Sequence, residues 1–247
     1  MKYIFLHIPK NGGTTLDHIL DSQYNKHQVF NIIEHKKKDK LLELKRKNKI
    51  SKRLIKVVKG GHFPYGIHEY FNNPQNIKYY TILRNPLHRT LSYYYFAKAQ
   101  PNHYLHQLIN NVSLEEFLDR EDLNFEVCNG QTKLIAGLYQ KQESNDAVFE
   151  DAKQHLENDF FQVGILEHYL ESLFFLKEHL NWKKPIKYNI LNVNKHKDLD
   201  ITDAVKEKII SLNSFDMEIY NTYLQILEER IENMDLKSYE TFKSQLI

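Results

Sequence analysis

Tyr3-Ile-Phe-Leu-His7-Ile-Pro9-Lys10-Asn11-Gly12-Gly13-Thr14-Thr15-Leu16 is the stretch on which the fold turns. Residues 3–8 form a short apolar run rich in β-prone side chains, which reads as a buried strand. Two glycines then allow a tight turn. From Thr14 onward, Leu16, Ile19 and Leu20 recur with helical spacing. In a strand, glycine turn and helix layout, the free N–H groups and dipole at the helix start favour a phosphate. Thr14 and Thr15 add hydroxyl donors, and Lys10 adds a positive charge. A Walker A loop carries its lysine after the last glycine and just before Ser or Thr. Here Lys10 precedes the glycines, and no later strand ends in an obvious magnesium-binding Asp. The same residues would also make a plain capping turn, with Thr as N-cap.

Residues 55–58 read as a strand running to Gly60-Gly61-His62, and residues 79–83 as a strand running to Arg84-Asn85-Pro86. A helix follows Pro86, with Leu87, Leu91 and Tyr94 on one side, since proline suits the first helical turn. Residues 29–33 and 161–166 read as further strands and residues 186–193 as extended. Residues 167–180 and 202–233 read as helices, and from Leu114 the pattern is mainly helical. Strands alternating with helices predict an α/β fold: a P-loop-like parallel sheet flanked by helices, with a largely helical C-terminal half packed on it. No repeat or low-complexity linker divides the chain, so a single domain over residues 1–247 is expected.

The composition fits a globular chain with a soluble surface, at 41% apolar and 27% charged residues. A net charge of +2 names no partner by itself. Cys128 is the one cysteine, which excludes an internal disulfide and a cysteine-built metal cluster. It reads as a small buried apolar residue. The opening apolar run is too short for a signal peptide, and no stretch approaches the ~18–20 apolar residues of a membrane span. A soluble, cytoplasmic protein is the expectation. Segment 36–53 is strongly basic and reads as a solvated helix face. Steering of an anionic acceptor or nucleic acid is its alternative use, but no nucleic-acid partner is expected. The aromatic run from Tyr93 to Phe96 reads as core rather than as a sugar platform.

Two side chains, Arg84 and His62, stand where open α/β sheets bind ligands, at strand carboxyl ends. Arg84 offers a planar fork that can bond two phosphate oxygens, and Ser92 lies two helical turns beyond Asn85. His62 is a natural general base near neutral pH. His68 and Glu69 are weaker rivals for that role, and a zinc site built from these three residues would fit no familiar spacing.

Taken together, these segments resemble PAPS-dependent sulfotransferases, where PAPS is 3′-phosphoadenosine 5′-phosphosulfate. Pro9-Lys10-Asn11-Gly12-Gly13-Thr14 is similar to their 5′-phosphosulfate loop, usually Pro-Lys-Thr/Ser-Gly-Gly-Thr. Arg84-Asn85-Pro86 with Ser92 is similar to their 3′-phosphate motif. Further similarity lies in Gly60-Gly-His62-Phe, in Asn129-Gly-Gln131-Thr132-Lys133, in Val163-Gly164-Ile-Leu-Glu167 and in Asn192-Val-Asn194-Lys195. The resemblance covers roughly residues 3–225 and points to the bacterial and Golgi carbohydrate group that includes heparan sulfate 2-O-sulfotransferase. Asn11 stands where Thr or Ser is usual, and Asn85 where Asp is usual. The resemblance implies sulfuryl transfer from PAPS to a hydroxyl on a carbohydrate or other acceptor, with no metal required. It implies catalytic roles for His62 and Lys10. It implies donor binding by Lys10, Asn11, Gly12, Gly13, Thr14, Thr15, Arg84, Ser92 and Lys195, with Gln131 and Lys133 as secondary contacts. A P-loop-like nucleotide kinase or NTPase, and a non-catalytic polyanion binder, are the alternatives.

Overall fold

The structure is a computed structural model that describes residues 2–32, 42, 43, 46, 54–71, 73–139, 142–187 and 201–246. Its centre is a sheet of five parallel strands: β1 (Lys2–Leu6), β2 (Val29–Asn31), β3 (Val57–Lys59), β4 (Ile77–Leu83) and β5 (Phe160–Ile165), in the order β2-β3-β1-β4-β5. The expected strands are all present. β1 stops at Leu6 rather than Ile8, and β3 starts two residues later than the apolar run suggested. Ile186 makes a single parallel bridge to Leu246, and the rest of the segment expected to be extended, 188–193, lies outside the described residues. So does most of the basic segment 36–53, of which Leu42, Glu43 and Arg46 are helical.

Helices cover both faces because β1, β3, β4 and β5 are apolar on both. In β1, Ile4 and Leu6 join one core while Phe5 joins the other; in β4, Tyr79 and Leu83 face the first and Tyr80 and Ile82 the second. This is the two-residue alternation of a strand. The first core is closed by α6 (Gly130–Ala136), α7 (Asp146–Asn158) and α10 (Ser214–Glu232). The second is closed by α1 (Gly13–Gln23), α8 (Tyr169–Leu180) and α11 (Leu236–Ser244). A third core gathers α2 (Pro86–Ala99) with the short helices α3 (His106–Ile109), α4 (Leu114–Asp119) and α5 (Glu121–Asn124) and with α9 (Asp203–Leu212). Each fully buried Leu, Ile or Phe contributes about 1.5–3 kcal/mol.

The order places β3, β1, β4 and β5 side by side. The chain leaves β1 for strands on one side of it and later returns on the other, so β1 sits at the switch point of the sheet. The segments after the carboxyl ends of these four strands carry His62, Lys10, Arg84 and Glu167 in turn.

Candidate active site

The turn after β1 is wound tightly. Lys10 and Gly12 both have left-handed backbones, with φ of 70° and 75°. For a residue other than glycine this costs on the order of 1–3 kcal/mol and is commonest at functional sites. Gly12 is the N-cap of α1 and, as a glycine, brings no side chain to cap that end. The first N–H groups of α1 therefore keep their donors for another partner. Gly13 is required sterically, because a Cβ there would run into the imidazole of His7. Thr14 is exposed and Thr15 buried on the first turn.

The turn is fastened to the strand beside it. Asn11 points inward, where its Nδ2 donates to the Ile82 carbonyl at 2.8 Å and to Gln131 Oε1 at 2.6 Å. Gln131 is 1% exposed; its Oε1 also accepts from the Arg84 backbone N–H, and its Nε2 donates back to the Arg84 carbonyl. Arg84 Nη1 donates to the Lys10 carbonyl at 2.9 Å. Gln131 thus holds the two loops together rather than facing outward as a secondary contact. Lys133 is buried and donates to the Phe125 carbonyl. Ser92 is 8% exposed on α2. Lys195 lies outside the described residues.

Lys10 rests its ammonium 3.6 Å from the centre of the Phe96 ring, a cation–π contact. Phe96 is therefore not core, unlike Tyr93 and Tyr94, which are buried. Burial, and then the nearby Arg84 charge, push the Lys10 ammonium down to about 8. Burial also lowers Arg84, partly offset by Glu167. Glu167 Oε1 accepts from the Asn85 N–H at 3.1 Å. Asn85 in turn caps α2 by accepting from Leu87 and His88, so the asparagine performs the capping role open to an aspartate there.

His62 is half-buried, and its ring stands at 85° to that of His7 with centroids 5.1 Å apart. Through His7 it adjoins the start of α1. His68, its rival, is committed elsewhere, with Nδ1 2.9 Å from the Tyr79 hydroxyl. Two residues gave no sign of their importance in the sequence. Arg89 is fully buried and donates from Nε to the Pro9 carbonyl and from Nη2 to the Glu126 carbonyl, which props the turn from behind. Asp216 accepts from the backbone N–H groups of Gln131 and Thr132 and from the Thr132 hydroxyl, capping α6 from the far end of the chain. Cys128 is half-buried, and burial pushes its thiol up to about 11, an inert environment.

A parallel sheet with a phosphate-type turn after its central strand and an arginine on the adjoining strand end defines a P-loop-like α/β protein. The Sulfotransferase family model matches residues 1–223, and the chain belongs to that family. Over 190 residues it is 23% identical to heparan-sulfate 6-O-sulfotransferase 3 of Mus musculus, covering 64% of this chain and 40% of the relative. The Homo sapiens protein of the same name matches over the same length with the same identity. The chain thus spans about two fifths of the length of these curated relatives. Among solved structures, a sulfotransferase from Alicyclobacillus acidocaldarius shares the fold, with a TM-score of 0.50 and 13% identity over 97% of this chain and 98% of that one. No described helix is long and apolar enough to cross a membrane.

Proposed function

We propose that the chain transfers a sulfuryl group from PAPS to a hydroxyl group, with a carbohydrate as the acceptor. The observation that carries this reading is the delivery of His62, Lys10 and Arg84 by three adjacent strand ends, with Arg84 bonded to the Lys10 carbonyl at 2.9 Å. Two cations and an uncapped helix start suit a donor with phosphates at both ends. The carbohydrate acceptor is supported by the names of the relatives, which act on heparan sulfate.

In this reading His62 takes the proton of the acceptor hydroxyl as its oxygen attacks sulfur. A new S–O bond forms, and the bond from sulfur to the bridging oxygen breaks. The electron pair leaves on the 5′-phosphate of the departing adenosine 3′,5′-bisphosphate. Lys10 and the N–H groups of residues 12–15 face that charge, and Thr14 and Thr15 add hydroxyl donors. Arg84 and Ser92 hold the 3′-phosphate, the group that distinguishes this donor from ATP. Asn11 acts through its backbone and through its tie to Gln131. The scheme requires no metal.

The test is calorimetric titration with adenosine 3′,5′-bisphosphate beside ATP and ADP without magnesium, followed by turnover with PAPS in His62→Ala. Tight binding of the bisphosphate alone is expected, together with loss of most turnover in the variant. Preference for ATP would overturn the donor assignment, and near-normal turnover of His62→Ala would overturn the base.

A further inference from the structure

His7 opens the glycine turn, yet the reaction as described leaves it without a role. Four neighbours pin its ring. Phe5 stacks on it with centroids 5.4 Å apart and planes 21° from parallel. Gly13 lies against it so closely that no Cβ fits between them. Asp17 Oδ2 stands 3.4 Å from its Nδ1. The fourth neighbour is His62, set edge to face at 5.1 Å. A side chain held on four sides has already lost its rotamer freedom and can impose its orientation on a partner.

Asp17 in turn stands near a cation. Lys59, 3% exposed at the end of β3, places its Nζ 3.9 Å from Asp17 Oδ1 and 3.0 Å from Asp21 Oδ2. The chain of contacts runs His62, His7, Asp17, Lys59, Asp21, from the segment after β3 to the turn after β1, then to α1, back to β3 and again to α1. Two carboxylates and one ammonium give Asp17, Lys59 and Asp21 together one net negative charge.

We propose that His7, oriented by Asp17, is a positioning residue for His62. The Asp17 carboxylate accepts from His7 Nδ1–H and thereby sets its tautomer and ring angle. The ring fixes the angle of His62, and the partly buried Asp17 carboxylate offsets the imidazolium formed when His62 accepts the acceptor proton. This follows the logic in which a base is oriented by a third group. The inference rests on the reading of His62 as the base.

The experiment uses the full chain with Asp17→Asn, Asp17→Glu, His7→Asn and His62→Ala side by side, each first checked for cooperative thermal unfolding. Asp17→Asn is expected to lower kcat about tenfold while the Kd for adenosine 3′,5′-bisphosphate stays within about twofold. Asp17→Glu, which keeps the carboxylate, should recover part of that loss. Nitrogen-15 NMR should show a single Nδ1–H tautomer for His7 in the wild type and a mixture in Asp17→Asn. Turnover within about twofold of wild type in both Asp17→Asn and His7→Asn, with His62→Ala inactive, would overturn the positioning role and leave the base reading intact. A loss confined to donor Kd would also overturn it, by assigning His7 to the donor loop. If His62→Ala turned over normally, the base reading would fall first and this inference with it.

Discussion

Lys10 combines a left-handed backbone, a cation–π contact with Phe96 and an ammonium that burial and Arg84 push down to about 8. Its charged form is the one that attracts phosphate, and that form is lost as pH rises through about 8 in the donor-free protein. The Kd for adenosine 3′,5′-bisphosphate should therefore weaken up to about tenfold between roughly pH 7 and 9, measured by calorimetry, and stay flat in Lys10→Ala. In the same variant turnover should fall by about 10²–10³. Arg84→Ala removes charge-assisted bonds worth about 1.5–3 kcal/mol. Its Kd for the bisphosphate should weaken by roughly 10–100-fold. Both side chains were legible in the sequence because each follows a β-prone run and precedes a helix signal. Arg89 was not, because an arginine on the first turns of a helix ordinarily reads as surface. Only the fold shows it buried against the Pro9 and Glu126 carbonyls.

At the scale of elements, the helix starts of α6 and α10 face each other and cap each other. Asn129 Oδ1 accepts from the Phe215 and Asp216 N–H groups at the head of α10, while Asp216 accepts from Gln131 and Thr132 at the head of α6. Two like dipole ends are thereby bridged by one carboxylate. The same carboxylate also offsets the buried Arg89 and Lys133 charges. Asp216→Ala removes the cap and leaves those cations less balanced, so it should destabilise the protein by about 2–4 kcal/mol in denaturant unfolding. No local pattern announces this arrangement. In the sequence Asp216 is only an acidic residue early in a helix, 84 and 85 positions from the groups it caps. The strands, by contrast, were readable from apolar runs, apart from the early end of β1 at Leu6 and the shift of β3 onto Lys59. That lysine can lie in a strand because Asp17 and Asp21 meet it.

For the whole molecule, the donor would touch segments that belong to different cores, joining the turn after β1 to the head of α2. A ligand bound only by the folded state at about 100 times its Kd adds ~2.7 kcal/mol. For a chain of 247 residues that corresponds to a rise of about 5–10 °C in Tm. The bisphosphate should produce this shift in a thermal melt, and ATP at the same concentration should not. The parallel sheet and its helical cover were legible as a class because β-prone runs alternate with helical spacing. The assembly of the site was less so, because Gln131 meets Asn11 across 120 residues and Arg84 across 47.

The shared cap between α6 and α10 also sets an order of manufacture. Gln131, which clasps the two loops, sits on a helix whose head is completed only by Asp216. A chain emerging from the ribosome has made all five strands of the described sheet by Ile165, yet its clasp still awaits a residue some fifty positions downstream. The newborn sheet must therefore wait for its far end before the two loops can be locked in place.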